Sequence, residues 1–192
     1  LMDIVLRETN RLDQLLTDFV LFTHPDQRKK KQIELNTVIM DTIELFLSNA
    51  DHGSITVDTD LNGSIMLEAD PNQIKQVLWN LFVNAHQAMD IGGTLSIRTT
   101  KIPAAELKGM SQPLPAGPHA RSWVQLTVAD TGCGIDEDDA DKVFDPFFTT
   151  KPRGSGLGLA IVYSIIESYK GQVSLKSQKD RGTAFTILLP AV

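Results

Sequence analysis

The sequence predicts an α+β fold in which three helices cover one face of a mixed, mostly antiparallel sheet. Amphipathic helical segments alternate with pairs of strands, and a long connection precedes the last helix. This order is typical of a two-layer α/β sandwich, because the apolar face of a sheet and the apolar stripes of helices must bury each other. The 192 residues are enough for one such domain and a short appendage.

The three helices of this layer are predicted at residues 35–50, 70–90 and 157–169. The second has the clearest start, since Asp70 is a favoured N-cap residue and Pro71 suits the first turn. Gly92-Gly93 ends it. The connections at residues 101–122, which contain four prolines, and 136–156 are predicted as loops.

Strands are predicted from short apolar or alternating runs. They cover residues 55–57, 65–67, 95–100, 123–129, 173–177 and 183–189. Asn62-Gly63 lies between the first two, and this dipeptide predicts a β-hairpin that joins them.

The N-terminal segment predicts a separate amphipathic helix over residues 1–23, whose apolar stripe needs a partner in the domain or in a coiled coil. His24-Pro25 and a basic run at residues 28–31 interrupt this pattern. We therefore divide the chain into residues 1–24, a linker at 25–33 and a main domain at 34–192. Because the chain begins with Leu1, we expect it to be a fragment.

Charge and cysteine content exclude several classes of function. The net charge of −6 argues against a nucleic-acid partner, which usually requires a basic surface. The single cysteine excludes an internal disulfide and fits a reducing compartment. No apolar run is long enough to span a bilayer. We expect a cytoplasmic chain without membrane contact of its own, although upstream segments could anchor its parent protein.

Asn80 and Asn84 lie four residues apart on the second helix and therefore share a face, with Gln87 one turn further on. A polar edge facing water is the ordinary interpretation of such a pair. The functional interpretation is a Mg²⁺ site, since amide oxygens are hard, neutral ligands suited to a metal held mainly by substrate phosphates.

Two glycine-punctuated segments accompany this helix. Asp130 ends an apolar strand, and its carboxylate could accept a hydrogen bond from an exocyclic amine such as that of adenine. Gly132 and Gly134 would let the backbone approach a flat ring, although a simple turn is the alternative. The second segment opens into the last helix, where unpaired amides favour a polyphosphate. It comprises Gly154, Ser155, Gly156, Leu157, Gly158 and Leu159.

A phenylalanine cluster lies between the glycine segments. Phe144, Phe147 and Phe148 would anchor the long connection through apolar contacts. Lys151 and Arg153 could reach phosphates, but solvated charges are an equal alternative.

Together these motifs resemble the catalytic, ATP-binding domain of sensor histidine kinases of two-component systems, over residues 34–190. Residues 80–85 look like the N box, 130–135 and 154–159 like the two glycine boxes, 144–151 like the F box, and 182–185 like the final Gly-Thr motif. All occur in the expected order, and the pattern is most similar to that of nitrogen-regulation-type kinases.

The resemblance implies a Bergerat-type fold that binds ATP and Mg²⁺. Asn84, helped by Asn80, would hold the metal and form the catalytic pair, and Asp130 would bind the adenine amine with Thr183 nearby. The implied ATP-binding residues are Asn84, Gln87, Asp130, Gly132, Gly134, Ile135, Phe147, Thr150, Lys151, Gly154, Ser155, Gly156, Leu157, Gly158, Leu159 and Thr183. The family often has a basic residue where Gln87 stands, so Lys151 or Arg153 would compensate.

The resemblance also extends to the N-terminal helix, which looks like the end of the second helix of a dimerisation and phosphoacceptor hairpin. It implies a homodimeric parent protein and a response regulator as partner. None of the four histidines has the sequence context of a phosphoacceptor. We therefore expect the acceptor histidine upstream of Leu1, and a fragment that binds Mg-ATP without autophosphorylating.

Other functions remain open at this point. Gyrase-like and chaperone ATPases share the fold but usually carry a glutamate where Asn80 stands. An amide cannot act as a general base, so Asn80 favours phosphoryl transfer to an imidazole over hydrolysis. The alternatives are a Bergerat-fold ATPase, an anti-sigma-factor-type serine kinase and a binding module without catalysis.

Overall fold

The computed structural model describes residues 30–48, 55–107, 122–151 and 154–192, and the predicted helix at 1–23 lies outside them. The strands in the described residues are β1 (Lys31–Glu34), β2 (Ile55–Leu61), β3 (Met66–Ala69), β4 (Gly93–Pro103), β5 (Ser122–Asp130), β6 (Gln172–Gln178) and β7 (Gly182–Ala191). The helices there are α1 (Leu35–Ser48), α2 (Pro71–Ala88), α3 (Ala104–Leu107), α4 (Glu137–Ala140) and α5 (Gly158–Ser168).

The main sheet has five strands in the order β2-β4-β5-β7-β6. Only the β2–β4 pair is parallel; the other three pairs are antiparallel. The predicted mixed, mostly antiparallel sheet is therefore confirmed. The central strand β5 ends at Asp130, directly opposite Thr183 of β7, and this register brings together two residues 53 positions apart in the chain.

The predicted β2–β3 hairpin is wrong. β2 pairs with β4, whereas β3 pairs with β1 in a separate two-stranded sheet. The chain still bends at Gly63, which has a φ of +70°. The side chain of Asn36 donates to the Gly63 carbonyl at 2.6 Å, and the Ile65 amide donates to Glu34 Oε1 at 3.1 Å. These two bonds attach residues 63–65 to the junction of β1 and α1 and not to β2.

Strand β1 also begins inside the segment that was predicted as a linker. Ile33 is buried and belongs to the same apolar core as Leu67 and the helices. Residues 31–33 therefore pack with the main domain, and the rest of the proposed domain division stays a prediction. In the described parts of the two loops predicted at 101–122 and 136–156, β4 extends through residues 101–103, and each loop contains one helical turn, α3 or α4.

The long helices form the second layer. α2 packs against α1, α5 and β5, and α5 packs against β6. Leu78, Leu81 and Phe82 of α2 are at most 1% exposed, and burying each such side chain contributes about 1.5–3 kcal/mol to folding. Asp70 caps α2 as predicted, accepting a hydrogen bond from the Asn72 amide at 2.9 Å.

A tyrosine fixes the far end of α5 against the start of α2. The Tyr169 hydroxyl accepts from the Asp70 amide at 2.9 Å and donates to Gln73 Oε1. These bonds hold the C-terminal end of α5 against the start of α2, the helix with which α5 packs. None of the helices in the described ranges is long and apolar enough to cross a membrane.

Candidate functional site

A cavity of about 730 Å³ lies between α2, the end of β5, the connection that follows it and the start of α5. Most residues predicted to form the site face it. These are Asn80, Asn84, Gln87, Asp130, Gly134, Ile135, Thr150, Lys151, Gly154, Ser155, Gly156, Gly158, Leu159 and Thr183. Residues from four separate parts of the chain thus meet around one space.

Three predicted ATP-binding residues do not line this cavity. Gly132 is buried beside the end of α2, where a Cβ would lie 2.6 Å from the Ala88 carbonyl oxygen. Leu157 is 1% exposed and belongs to the apolar core. Phe147 is 64% exposed on the outside of the connection. The structure therefore gives Gly132 and Leu157 packing roles behind the site.

Asp130 is held by its neighbours in a buried position, 9% exposed. Its Oδ1 accepts hydrogen bonds from the amides of Gly132, at 2.9 Å, and Thr183, at 3.3 Å. Burial raises the pKa of the Asp130 carboxyl, although these two hydrogen bonds and the charge of Lys151 oppose the shift. Both amides bind Oδ1, so Oδ2 takes no hydrogen bond from the described residues.

Ser177 of β6 supports this end of the cavity and was not predicted. Its hydroxyl accepts from the Ile135 amide at 2.8 Å and lies 2.9 Å from Thr183 Oγ1. It thereby joins the first glycine segment to β7. Ser177 is an ordinary strand serine in the sequence, and only the pairing of β6 with β7 reveals its position.

Asn80 and Asn84 share the cavity face of α2, as their spacing predicted. The side-chain nitrogen of Asn80 is buried and has no hydrogen-bond partner in the described part of the chain. Such an orphaned donor is costly unless a ligand or water satisfies it. Val83 and Ala88 also line the cavity and were missed, although helical spacing from Asn80 and Asn84 could have identified them.

Lys151 joins the connection to α2 through two amide oxygens. Its Nζ donates to Gln87 Oε1 at 2.7 Å and to Asn84 Oδ1 at 3.2 Å. Burial lowers the pKa of this ammonium group, whereas interactions with Cys133 and Asp130 raise it. Among the described residues that line the cavity, Lys151 is the only cationic side chain.

These amide oxygens fit a Mg²⁺ ion, because they already accept a cation in the form of the lysine ammonium. Within the described ranges, no group of three or more His, Cys, Asp or Glu residues could hold a metal by itself. Any metal here would thus take most of its ligands from a bound phosphate chain and from water, as Mg²⁺ commonly does.

The start of α5 lines a further part of the cavity, which we call the α5 end, and the part at Asp130 is called the Asp130 end. The Leu157 amide donates to Ser155 Oγ at 3.2 Å, and the Phe147 amide donates to the Gly156 carbonyl at 2.9 Å. Gly158 begins the helix, and a Cβ there would lie 3.7 Å from Asn80 Oδ1. The N-terminus of an 11-residue helix, which attracts anions, therefore lies beside the asparagine face of α2.

Comparisons with known proteins place this chain in a family. Residues 69–192 match the family described as "Histidine kinase-, DNA gyrase B-, and HSP90-like ATPase". The chain is 31% identical, over 99% of its length, to the sensor histidine kinase ZraS of Escherichia coli strain K12. It is 30% identical, over 98% of its length, to sporulation kinase E of Bacillus subtilis strain 168.

These relatives are much longer, and the chain spans 37% of ZraS and 23% of sporulation kinase E. Among solved structures, the catalytic domain of histidine kinase ThkA is 29% identical, with a TM-score of 0.67. That alignment covers 84% of this chain and 95% of the ThkA domain. The chain belongs to the histidine kinase-, DNA gyrase B- and HSP90-like ATPase family and contains an ATP-binding catalytic domain of the sensor histidine kinase type.

Proposed function

We propose that the cavity binds Mg-ATP in one orientation, with adenine at Asp130 and the phosphates between α2 and the start of α5. The observation that carries this proposal is the polarity of the cavity. A buried carboxylate at the end of β5 lines the same cavity as the cation-binding amide oxygens of α2 and a helix N-terminus. A nucleotide with its metal carries the matching set of groups: an amine donor, a polyanion and a cation.

The Asp130 carboxylate suits adenine because one of its oxygens already accepts two hydrogen bonds, whereas the other can accept a bond from the ligand. Gly132 and Thr183 hold Asp130 Oδ1, so Oδ2 can accept the exocyclic amine. Gly134 and Ile135 line the adjoining wall, where a flat ring could lie against backbone. The two committed hydrogen bonds fix the direction of this acceptor before the nucleotide arrives.

At the phosphate end, Asn84 and Asn80 would hold Mg²⁺, which supplies charge neutralisation on the phosphate oxygens. Lys151 and the amides at the start of α5 would bind the same oxygens. Gly154, Ser155 and Gly156 line this part of the cavity and leave room for backbone contacts to the phosphate chain.

In the parent protein we propose that the γ-phosphoryl group goes to a histidine upstream of Leu1. The amide of Asn80 cannot take a proton from water, which disfavours hydrolysis. Further proposals are a domain division after residue 24, a dimer formed through residues 1–24, a response regulator as partner, the nitrogen-regulation subtype and a cytoplasmic location.

Nucleotide titration tests the orientation. Asp130→Asn should weaken ATP binding about tenfold to a hundredfold, because a buried charged acceptor is replaced by a group whose second atom is a donor. The exposed Asp58→Asn on β2 is the matched control and should bind like the unmodified chain. Calorimetry in the presence of Mg²⁺ measures both. Equal affinity of Asp130→Asn and the unmodified chain would refute the adenine assignment.

ATP turnover distinguishes the kinase from the ATPase. We expect the purified chain to hydrolyse ATP negligibly. Fast hydrolysis that rises further in Asn80→Glu would instead support a gyrase-like or chaperone-like ATPase.

A further inference from the structure

Lys151 occupies the amide oxygen of Asn84, one of the two at which the proposed function places the metal. Its Nζ lies 3.2 Å from Asn84 Oδ1 and 2.7 Å from Gln87 Oε1. We propose that Lys151 is an exchangeable counter-cation of this site: its ammonium binds Asn84 when no metal is present and leaves Asn84 for the phosphate oxygens when Mg²⁺ arrives with the nucleotide. This inference rests on the proposed function.

The geometry makes the two cations competitors. Mg²⁺ requires oxygen ligands at about 2.0–2.1 Å. An ion at that distance from Asn84 Oδ1 would lie close to an ammonium group that is 3.2 Å from the same atom. The site is partly buried, so solvent screens this repulsion less than it would at an open surface. Simultaneous occupation of Asn84 by both charges is therefore unfavourable.

Gln87 gives the lysine a place to remain during the exchange. It accepts the shorter of the two bonds and lies one turn beyond Asn84 on α2. Lys151 can keep this neutral partner while its other donors turn towards the phosphates, since an ammonium group on a flexible stem has three donors. Because Gln87 is uncharged, it keeps Lys151 at the cavity without competing electrostatically with the phosphates for the ammonium group.

The charges of the cavity lining explain how this exchange would affect nucleotide binding. The described lining residues include two carboxylates, Asp130 and Asp139, and one cation, Lys151. When metal is absent, the lysine is the only described side chain there that can neutralise a polyphosphate. When metal is present, Lys151 and Mg²⁺ act on the same phosphate chain, and each reduces the contribution of the other to nucleotide affinity.

The prediction is therefore an antagonism between Lys151 and Mg²⁺ in nucleotide binding. By thermodynamic linkage, the factor by which Lys151 changes the effect of Mg²⁺ on nucleotide affinity must equal the factor by which Mg²⁺ changes the effect of Lys151. An independent phosphate contact would give no such coupling.

Calorimetry of the whole chain with a non-hydrolysable ATP analogue measures this coupling, in excess Mg²⁺ and in EDTA. We expect Lys151→Met to weaken binding about tenfold in EDTA but less than about threefold in Mg²⁺, since the loss of a charge-assisted hydrogen bond costs roughly a factor of ten. Lys75→Met is the matched control. Lys75 lies on α2 and pairs with Asp41 at 3.1 Å, and its replacement should change neither affinity.

Lys151→Gln provides a second test, because it keeps a donor for both amide oxygens without the charge. It should show the same condition-dependent loss, and thermal unfolding without nucleotide would confirm that both variants fold. Equal losses in EDTA and Mg²⁺, or a larger loss in Mg²⁺, would overturn the exchange. Asp130→Asn in the same series separates this outcome from a failure of the proposed function. If the coupling is absent while Asp130→Asn still loses affinity, only the exchange is refuted. If Asp130→Asn binds like the unmodified chain, the proposed function is refuted as well.

Discussion

The two ends of the cavity are built differently. At the Asp130 end, backbone groups hold the first glycine segment: the Cys133 amide donates to the Ala88 carbonyl at 3.0 Å, and the Asp180 amide donates to the Cys133 carbonyl at 2.7 Å. At the α5 end, the contacts that join the connection to α2 are made by side chains, with Lys151 bound to the amide oxygens of Asn84 and Gln87, next to the backbone bond from the Phe147 amide to the Gly156 carbonyl.

This difference matches the ligand groups proposed for each end. A rigid ring is recognised best by an acceptor that is already fixed in place, because no ordering is then needed on binding. Phosphates and their metal bring several charges that must be redistributed. Movable side chains can do this, whereas backbone locked into neighbouring strands and helices cannot.

The largest expected effect is loss of stability at the rigid end. Gly134 has a φ of +70°, and a Cβ there would collide with the backbone carbonyl of Gln178. Gly134→Ala should lower the free energy of unfolding by about 2–4 kcal/mol, from the left-handed backbone and the overpacking together. Urea denaturation followed by circular dichroism measures the change.

Gly63→Ala separates these two causes, because Gly63 has the same φ of +70° but nothing within 4 Å of its Cβ position. Gly63→Ala should lower the free energy of unfolding by only about 1 kcal/mol, which is the contribution of the left-handed backbone alone. If the two substitutions cost the same, the close packing of the first glycine segment is not what holds it.

The next effect concerns Asp130 and pH. Since burial raises the pKa of this carboxyl, the folded state holds the proton more tightly than the unfolded state does. Stability from this group is present below the ordinary value of 3.8 and is lost as the pH rises through the raised value. The melting temperature of Asp130→Asn, relative to the unmodified chain, should therefore increase with pH across that window.

ATP affinity should follow the opposite course, because the ionised carboxylate is the better acceptor. Affinity of the unmodified chain should fall on acidification at pH values above those expected of an ordinary aspartate, and Asp130→Asn should lack this dependence. Parallel melting and calorimetric series test both. A constant difference in melting temperature would show that the Asp130 charge is not penalised by the fold.

The smallest effect is expected at the start of α5. A Cβ on Gly158 meets only Asn80, at an ordinary contact distance of 3.7 Å. Gly158→Ala should leave the free energy of unfolding unchanged or raise it by about 0.5 kcal/mol through better helix propensity. It should weaken ATP binding about threefold by narrowing the phosphate space, as calorimetry would detect. A loss of stability like that of Gly134→Ala would make the two ends equally rigid.

Local sequence signals predicted the elements that depend on local physics. Helix α2 has its N-cap, its proline and its apolar period within one continuous segment, and it forms nearly where expected. The i, i+4 spacing of Asn80 and Asn84 places both on one face, wherever that helix packs. The same reasoning failed for Asn62-Gly63, because a turn signal does not specify which strand the chain will meet after turning.

The sequence by itself determined the family resemblance, the α+β class and the residue types of the site, since these depend on motifs and on apolar periodicity. The tertiary structure decided which residues meet. Ser177 reaches Ile135 only because β6 pairs with β7, and Lys151 reaches Asn84 and Gln87 across more than sixty positions of chain. Such contacts depend on strand register and helix packing, which are set by burial of the whole core and not by any local pattern.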